Sequence, residues 1–234
     1  MTDENSSQTG WFEWIVDDLR GESAASRRQF LQRSATAGAG ALALSVAGSN
    51  AALAQEAEDD ETSDVDVLNY ALTLEHLEHA FYRDGLERFG ENDFEEARAL
   101  QGLAYRTRKD VRPNFVSIRD HERAHVDTLT AVVEDLGGEP TAEACYDFGV
   151  EDVDDFIAVA GVLENTGVSA YDGAISMVEN ADLLTAGATI ATVEGRHAAY
   201  LNTLNEKDPF PSAFDEAKSM DEILSAAGGF IVDC

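Results

Sequence analysis

The chain has 234 residues, a length that allows one domain with a substantial core together with terminal extensions. Its 46 acidic residues against 16 basic ones give a formal net charge of −30, which argues against nucleic acid and anionic lipid as partners. A hydrophobic content of 44%, arranged in periodic runs, argues against an acidic disordered protein.

The charge balance resembles that of proteins from salt-loving archaea. Only three of the basic residues are Lys, namely Lys109, Lys207 and Lys218. A surface with so many carboxylates repels itself in dilute buffer, and concentrated salt screens that repulsion. We therefore expect a halophilic protein.

An export signal precedes the predicted fold. After an acidic extension over residues 1–25, residues 26–31 read SRRQFL and lead into an Ala- and Gly-rich apolar run. Paired arginines, a modest apolar stretch and a small-residue cleavage site resemble a twin-arginine signal, assigned to residues 26–54 with cleavage after Ala54. Gly38, Gly40 and Gly48 make the run a poor transmembrane span. We expect export by the twin-arginine machinery to an extracytoplasmic location, at the cell surface or secreted.

Export also bears on the only two cysteines, Cys145 and Cys234. Outside the cytoplasm a disulfide between them is favoured over two free thiols. The bond would attach the C-terminal tail to the loop after the second long helix. Between the signal and the fold, residues 55–64 are interpreted as an acidic linker.

From Val65 onward the apolar residues recur with the period of an α-helix. The pattern predicts a short helical stretch at Phe94–Tyr105, and a loop with a short helix in the tail. Four long helices are predicted: one ending near Phe89, one with Pro113 in its first turn, one over Asp152–Glu179, and one from about Ala181 to Leu204. The fold class is therefore all-α, a four-helix bundle over residues 65–234.

Four Glu and two His residues interrupt the apolar faces of these helices. The first and third helices each carry a Glu seven residues before a Tyr, and the second and fourth each carry Glu-x-x-His. The residues are Glu75 with Tyr82, Glu122 with His125, Glu164 with Tyr171, and Glu194 with His197. The chain thus repeats one pattern twice, which chance explains poorly even in an acidic sequence.

The spacing suits a metal site. Glu and His three residues apart lie on one helix face and can reach a single ion. Inward carboxylates must be protonated, paired or bound to cations, because an unpartnered buried charge is costly. Two divalent ions would satisfy four carboxylates and two imidazoles, as in di-iron and di-manganese bundles. Iron or manganese suits these donors, with zinc as an alternative.

These stretches resemble the ferritin-like superfamily and, within it, exported proteins called desiccation-related. LNYALTLEHLEHAFY (68–82) is similar to the first helix, LENTGVSAY (163–171) to the third, and HERAH (121–125) and EGRH (194–197) to the two Glu-x-x-His motifs. The tail stretches PFPSAFD (209–215) and GFIVDC (229–234) also resemble the exported subfamily. The resemblance implies Glu75 and Glu164 as terminal ligands, Glu122 and Glu194 as bridging ligands, and His125 and His197 as caps of one ion each.

Other residues of the first two helices compete for these roles. Glu78 and His79 also lie near the inner face of the first helix and could replace or supplement Glu75. The helical alignment of Glu75 with the apolar face favours it. His76 and His121 are interpreted as surface residues or as residues that support the ligands.

The third helix leaves further alternatives open. Asp172 and Glu179 lie on the same predicted helix as Glu164 and could take its place. Tyr82 and Tyr171 are either core aromatics or hydroxyl donors that orient the ligands or carry a radical.

The predicted function is that of an exported dimetal protein acting on iron, dioxygen or peroxide in stress defence. Fe(II) oxidation and manganese-catalase-like peroxide removal both fit, and whether the protein is an enzyme stays open. The alternatives are a non-catalytic metal-binding stress or envelope protein and a metal-free bundle. The sequence contains no Cys-x-x-Cys pair, the motif that a rubredoxin-like centre would need. Homo-oligomerisation is left open, although an iron-storage cage is not expected.

Overall fold

Four long helices form the core of residues 62–234, the part of the chain that the computed structural model describes. The predicted extension and signal, and most of the predicted linker, lie outside these residues. The helices are α1 (Asp64–Arg88), α2 (Glu91–Glu96), α3 (Tyr105–Asp135), α4 (Val153–Ala174), α5 (Ala181–Leu204) and α6 (Met220–Ala227), and the strands are β1 (Cys145–Tyr146) and β2 (Ile231–Val232). Short 3₁₀ turns cover Arg98–Leu100, Ile175–Met177 and Gly228–Phe230. The prediction of an all-α bundle is confirmed. None of the described helices is long and apolar enough to cross a membrane.

Polar side chains cap the helices where the sequence places them. At α1, the Ser63 hydroxyl accepts from the backbone N–H of Asp66, and the Asp66 carboxylate accepts from the Ser63 N–H. Asp152 and Asn180 cap α4 and α5 in the same sense. Each cap satisfies a backbone donor that the helix leaves free, and is worth about 1 kcal/mol. Ser63 and Asp64, which the sequence assigned to the linker, therefore belong to the bundle.

The second long helix begins earlier than predicted. It starts at Tyr105, so Pro113 lies inside α3 rather than in its first turn. Tertiary contacts explain the difference, because the Arg112 guanidinium donates to the carbonyls of Leu86 and Phe89 at the end of α1. Val111, fully buried, packs in the core two residues before the proline. These contacts stabilise helix on the N-terminal side of a residue that usually ends it.

Two further boundaries differ from the predictions. The stretch predicted as one helix at Phe94–Tyr105 divides into the end of α2, a 3₁₀ turn and the first residue of α3. The third long helix ends at Ala174 instead of Glu179. Beyond it, the Asp64 carboxylate accepts from the backbone N–H groups of Glu179 and Asn180, which holds this connection against the start of α1.

The bundle pairs α1 with α3 and α4 with α5, and α1 and α4 also pack against each other. Phe156 of α4 lies at the centre of an aromatic cluster, with ring centroids 4.8 Å from Phe81 and 5.3 Å from Phe115. Gly85 makes this packing possible, because a Cβ there would lie 2.1 Å from Phe156 Cε2. The aromatic cluster fills the end of the bundle next to its polar middle.

The tail returns to the bundle as predicted, through a loop and the short helix α6. Ile223 and Ala227 of α6 are buried, and α6 packs on α4 and α1. Strand β2 pairs antiparallel with β1, and Cys145 forms a disulfide with Cys234 across a Cα–Cα distance of 5.5 Å. The tail is therefore attached at both α6 and the disulfide.

Candidate metal centre

The four long helices bring the six predicted ligands together in the middle of the bundle. Four of these residues, Glu75, Glu122, Glu164 and Glu194, are 0% exposed. His125 is 9% exposed and His197 is 5% exposed. Each of the four helices thus turns a carboxylate inward, as the helical period predicted. Carboxylates are almost never buried to this extent without partners.

The six residues form two overlapping groups. Glu75, Glu122, His125 and Glu194 make one group, and Glu122, Glu164, Glu194 and His197 make the other. Within each group the candidate ligand atoms lie within 4.8 Å of one another. Glu122 and Glu194 belong to both groups, which is the position that a bridging carboxylate needs.

Both histidines direct Nδ1 at the carboxylates. His125 Nδ1 lies 3.1 Å from oxygens of Glu75 and Glu122 and 3.3 Å from Glu194 Oε1. His197 Nδ1 lies 3.1 Å from oxygens of Glu122 and Glu164. Each group therefore contributes one histidine, and each histidine directs its Nδ1 atom at the carboxylates that the two groups share.

Two tyrosines cross between the halves of the site. Tyr82 of α1 donates its hydroxyl proton to Glu164 Oε1 of α4 at 2.6 Å. Tyr171 of α4 donates to Glu75 Oε1 of α1 in return. Each terminal carboxylate is therefore oriented by a hydroxyl from the opposite half, so both tyrosines act as donors as well as core aromatics.

His121 contacts only one half of the site. Its Nδ1 lies 2.9 Å from His197 Nε2, and the two rings stack with centroids 5.2 Å apart. If His197 keeps Nδ1 free of a proton for a ligand role, Nε2 carries the proton and donates it to His121. In the repeated pattern the counterpart of His121 is Val193, which lies four residues before His197 as His121 lies four before His125. A valine side chain cannot make such a hydrogen bond.

Glu78 is a fifth buried carboxyl beside the six residues and belongs to neither group. It lies three residues after Glu75, and Gly167 lies three residues after Glu164 in the matching helix. A Cβ at Gly167 would lie 3.0 Å from Glu78 Oε1 and 3.4 Å from Glu194 Oε2. Glu78 therefore occupies space that a side chain at position 167 would need.

The carboxyls perturb one another strongly. Burial, with the charges of Glu122 and Glu164, raises the pKa of Glu194 well above its ordinary value. Burial also raises the pKa of Glu122, to about 7, although hydrogen bonds from His125 and His197 oppose the shift. Burial would lower the pKa of His125, but the Glu75 charge and the hydrogen bonds of Glu122 outweigh it and raise that pKa well above normal. The cluster therefore needs protons or cations to be stable.

Carboxylate oxygens that lack a hydrogen bond are suitable ligands for metal ions. Both carboxylate oxygens of Glu194, and Oε1 of Glu122, are buried without a well-aligned hydrogen bond among the described residues, although a histidine Nδ1 lies 3.3 Å from Glu194 Oε1 and another 3.1 Å from Glu122 Oε1. These are the two residues shared by both groups. Hard carboxylate oxygens mixed with imidazole suit divalent iron and manganese. The residues present thus fit divalent metal ions.

The other candidates from the sequence lie elsewhere. His76 Nε2 lies 3.0 Å from the Thr141 carbonyl oxygen, and His79 is only partly buried and outside both groups. Glu179 is exposed beyond the end of α4, and burial together with the charge of Asp215 in the tail raises the pKa of Asp172. The structure thus favours Glu75 over its neighbours and Glu164 over the alternatives on its helix.

A four-helix bundle with paired Glu-x-x-His motifs and two further inward carboxylates is of the kind that dimetal-carboxylate proteins have. The ferritin-like domain model matches residues 63–207, and the chain therefore belongs to the ferritin-like family. No curated protein matches the sequence significantly.

Proposed function

We propose that the protein binds two divalent ions, iron or manganese, and acts on Fe(II), dioxygen or peroxide as an exported protein. The observation that supports the proposal most directly is the pair of overlapping ligand groups that share Glu122 and Glu194. In this arrangement Glu75 and His125 would hold one ion, and Glu164 and His197 the other. Such ions, when bound, supply redox equivalents and Lewis acidity.

The protein's own residues prepare the site for this role. Tyr82 and Tyr171 fix the terminal carboxylates by hydrogen bonds, so these need not reorganise when an ion binds. His121 holds the ring of His197 in the orientation that leaves Nδ1 toward the carboxylates. Complete burial of the four Glu residues excludes bulk water, which strengthens every charge interaction inside the bundle.

A second function has its own support. All six ligands are at most 9% exposed, a closed environment that also suits an ion held for stability or sequestration without turnover. Turnover of Fe(II) or peroxide separates the two functions, since both require bound metal. A metal-free bundle would show neither bound metal nor turnover.

Two features support export and a saline environment. The SRRQFL stretch with its small-residue run has the composition of a twin-arginine signal, and the Cys145–Cys234 disulfide suits an oxidising compartment. The net charge of −30 suits concentrated salt. We propose an extracytoplasmic location on these grounds.

The metal content of the mature protein, purified in high salt without chelator, tests the proposal. We expect about two iron or manganese ions per chain, and their loss in a Glu122→Ala/His125→Ala variant, because this change removes a shared carboxylate and a histidine. An Arg123→Ala/Asp127→Ala variant is the matched control, since it removes an exposed ion pair from the same helix.

Two outcomes would count against the proposal. A folded wild-type protein without metal, and without uptake on reconstitution with Fe(II) or Mn(II), would exclude the dimetal site. Normal metal content with no consumption of Fe(II) or peroxide would leave the sequestration function in its place.

A further inference from the structure

An apolar cavity of about 180 Å³ lies beside the metal centre, between α1, α4 and α6. Its floor is formed by the buried side chains of Leu74, Leu77 and Leu163. Its mouth lies near Val162, which is 51% exposed, and the exposed Ala226 of α6. The cavity therefore extends from the surface into the core.

Glu78 is the single ionisable residue of the cavity lining. It is 3% exposed and has no hydrogen-bond partner among the described residues, in contrast to Glu75 and Glu164 with their tyrosine donors. A buried carboxyl without a partner costs free energy, so a group that supplies the missing hydrogen bond would bind favourably.

The two halves of the bundle differ at this position. The counterpart of Glu78 in the repeated pattern is Gly167, which also lines the cavity. A Cβ at position 167 would lie 3.0 Å from Glu78 Oε1, so the carboxyl lies against a stretch of the cavity wall that carries no side chain. A carboxyl without a side-chain hydrogen bond among the described residues therefore belongs to the wall of an apolar space of molecular size.

We propose that this cavity binds a small neutral organic molecule with an apolar body and one hydroxyl group, which hydrogen-bonds to the Glu78 carboxyl. The volume suits an aromatic ring, since an apolar cavity of about 150 Å³ holds benzene. A hydroxyl can donate to a carboxyl oxygen whether or not that carboxyl carries a proton. A charged ligand is disfavoured, because no basic side chain lines the cavity and the walls are apolar.

The site does not depend on the proposed metal function. Its lining shares no residue with either ligand group, so a molecule can occupy it in the metal-free protein. Binding is therefore measured on the full chain in high salt both as isolated and after chelator treatment. Phenol and toluene serve as probes of similar size that differ in the hydroxyl group.

The test compares phenol and toluene affinities, measured by calorimetry, in the wild type, Glu78→Leu and Glu78→Gln. We expect one site per chain for phenol, with Glu78→Leu weakening phenol relative to toluene by about five-fold or more, the effect of one hydrogen bond. Glu78→Gln, which keeps a hydrogen-bonding group, should restore most of the preference. An unchanged ratio in Glu78→Leu, or no saturable phenol binding to the wild type, would overturn the proposal.

Substitutions at the mouth test the location without altering the buried carboxyl. Ala226→Phe should weaken binding of both probes at least about ten-fold by closing the cavity, with unchanged metal content. Ser225→Phe places the same ring one residue away on α6, outside the lining, and should leave both affinities as in the wild type. Wild-type affinity in Ala226→Phe would show that the probes bind elsewhere and would overturn the assignment.

Discussion

At the scale of single residues, the crossed tyrosines connect the two halves of the site. Tyr82 and Tyr171 each hold a carboxylate of the opposite half, and both hydrogen bonds are buried. Losing one hydroxyl would leave a buried carboxylate oxygen without its donor. These contacts matter for stability in the absence of metal as well as for the position of the ligands.

The two tyrosines of α1 provide a matched pair of substitutions. Tyr82→Phe should destabilise the protein by about 1–3 kcal/mol and weaken metal binding about 10–100-fold, because Glu164 loses its hydroxyl donor. Tyr70→Phe should be neutral or stabilising, because the buried Tyr70 hydroxyl has no hydrogen-bond partner in the described residues. Urea unfolding and metal titration check both. Equal effects of the two substitutions would show that the Tyr82 hydrogen bond contributes nothing.

His121 makes the two halves of the site unequal. It contacts His197, and no comparable ring stands behind His125 among the described contacts. His121→Ala should therefore weaken binding of one ion per chain about 10–100-fold and leave the other nearly unchanged. A titration with Mn(II) or Co(II) would show two separated steps in the variant. His79→Ala, at a partly buried position outside both groups, is the control, and parallel loss of both ions in His121→Ala would contradict the expectation.

The sequence predicted the inward carboxylates better than their surroundings. Helical period alone placed Glu75, Glu122, Glu164 and Glu194 inward, because an acidic residue on an apolar stripe is visible without a structure. It could not show that His121 would reach His197, since that contact depends on the angle between α3 and α5. Gly167 carried a readable signal, because a glycine inside a helix costs about 1 kcal/mol and so indicates a packing requirement.

At the scale of helices, boundaries were predictable where a local cap defines them. Asn180 caps α5 by a contact two residues along the chain, and α5 begins and ends where the periodicity placed it. The start of α3 was missed, because the hydrogen bonds of Arg112 to the end of α1 join residues far apart in sequence. The local tendency of Pro113 to begin a helix gave the wrong boundary there.

The contact between α1 and α4 at Gly167 can be measured by a double-mutant cycle. Gly167→Ala alone gains helix propensity but forces the Glu78 carboxyl to shift, since the new Cβ would lie 3.0 Å from Glu78 Oε1. In a Glu78→Ala background the same substitution should stabilise the protein by about 0.5–1 kcal/mol, the propensity gain without the conflict. Urea unfolding of the four proteins gives the coupling. Additive effects would show that the two positions do not compete for space.

At the scale of the whole molecule, the surface charge dominates. The chain carries a net charge of −30, and the ion pairs that Arg and Lys form among the described residues are largely exposed, so they offset little of the repulsion. We expect the urea midpoint to be higher in about 2 M KCl than in about 0.1 M KCl, because salt screens repulsion among the carboxylates. Most of the increase should come at the lowest salt concentrations, as screening requires. A midpoint independent of KCl would contradict this account.

The disulfide keeps the tail attached to the bundle even after the peptide chain is cut. The segment between α5 and α6 exposes Phe210 and Phe214, at 78% and 88%, and is the most accessible target within residues 62–234 for a protease such as chymotrypsin. A cut there would break the chain between the bundle and α6, but Cys234 would still attach the released piece to Cys145. The nicked protein should therefore run as one species without reductant and as two with it. In an oxidising environment, peptide cleavage alone would not remove α6 from the wall of the apolar cavity.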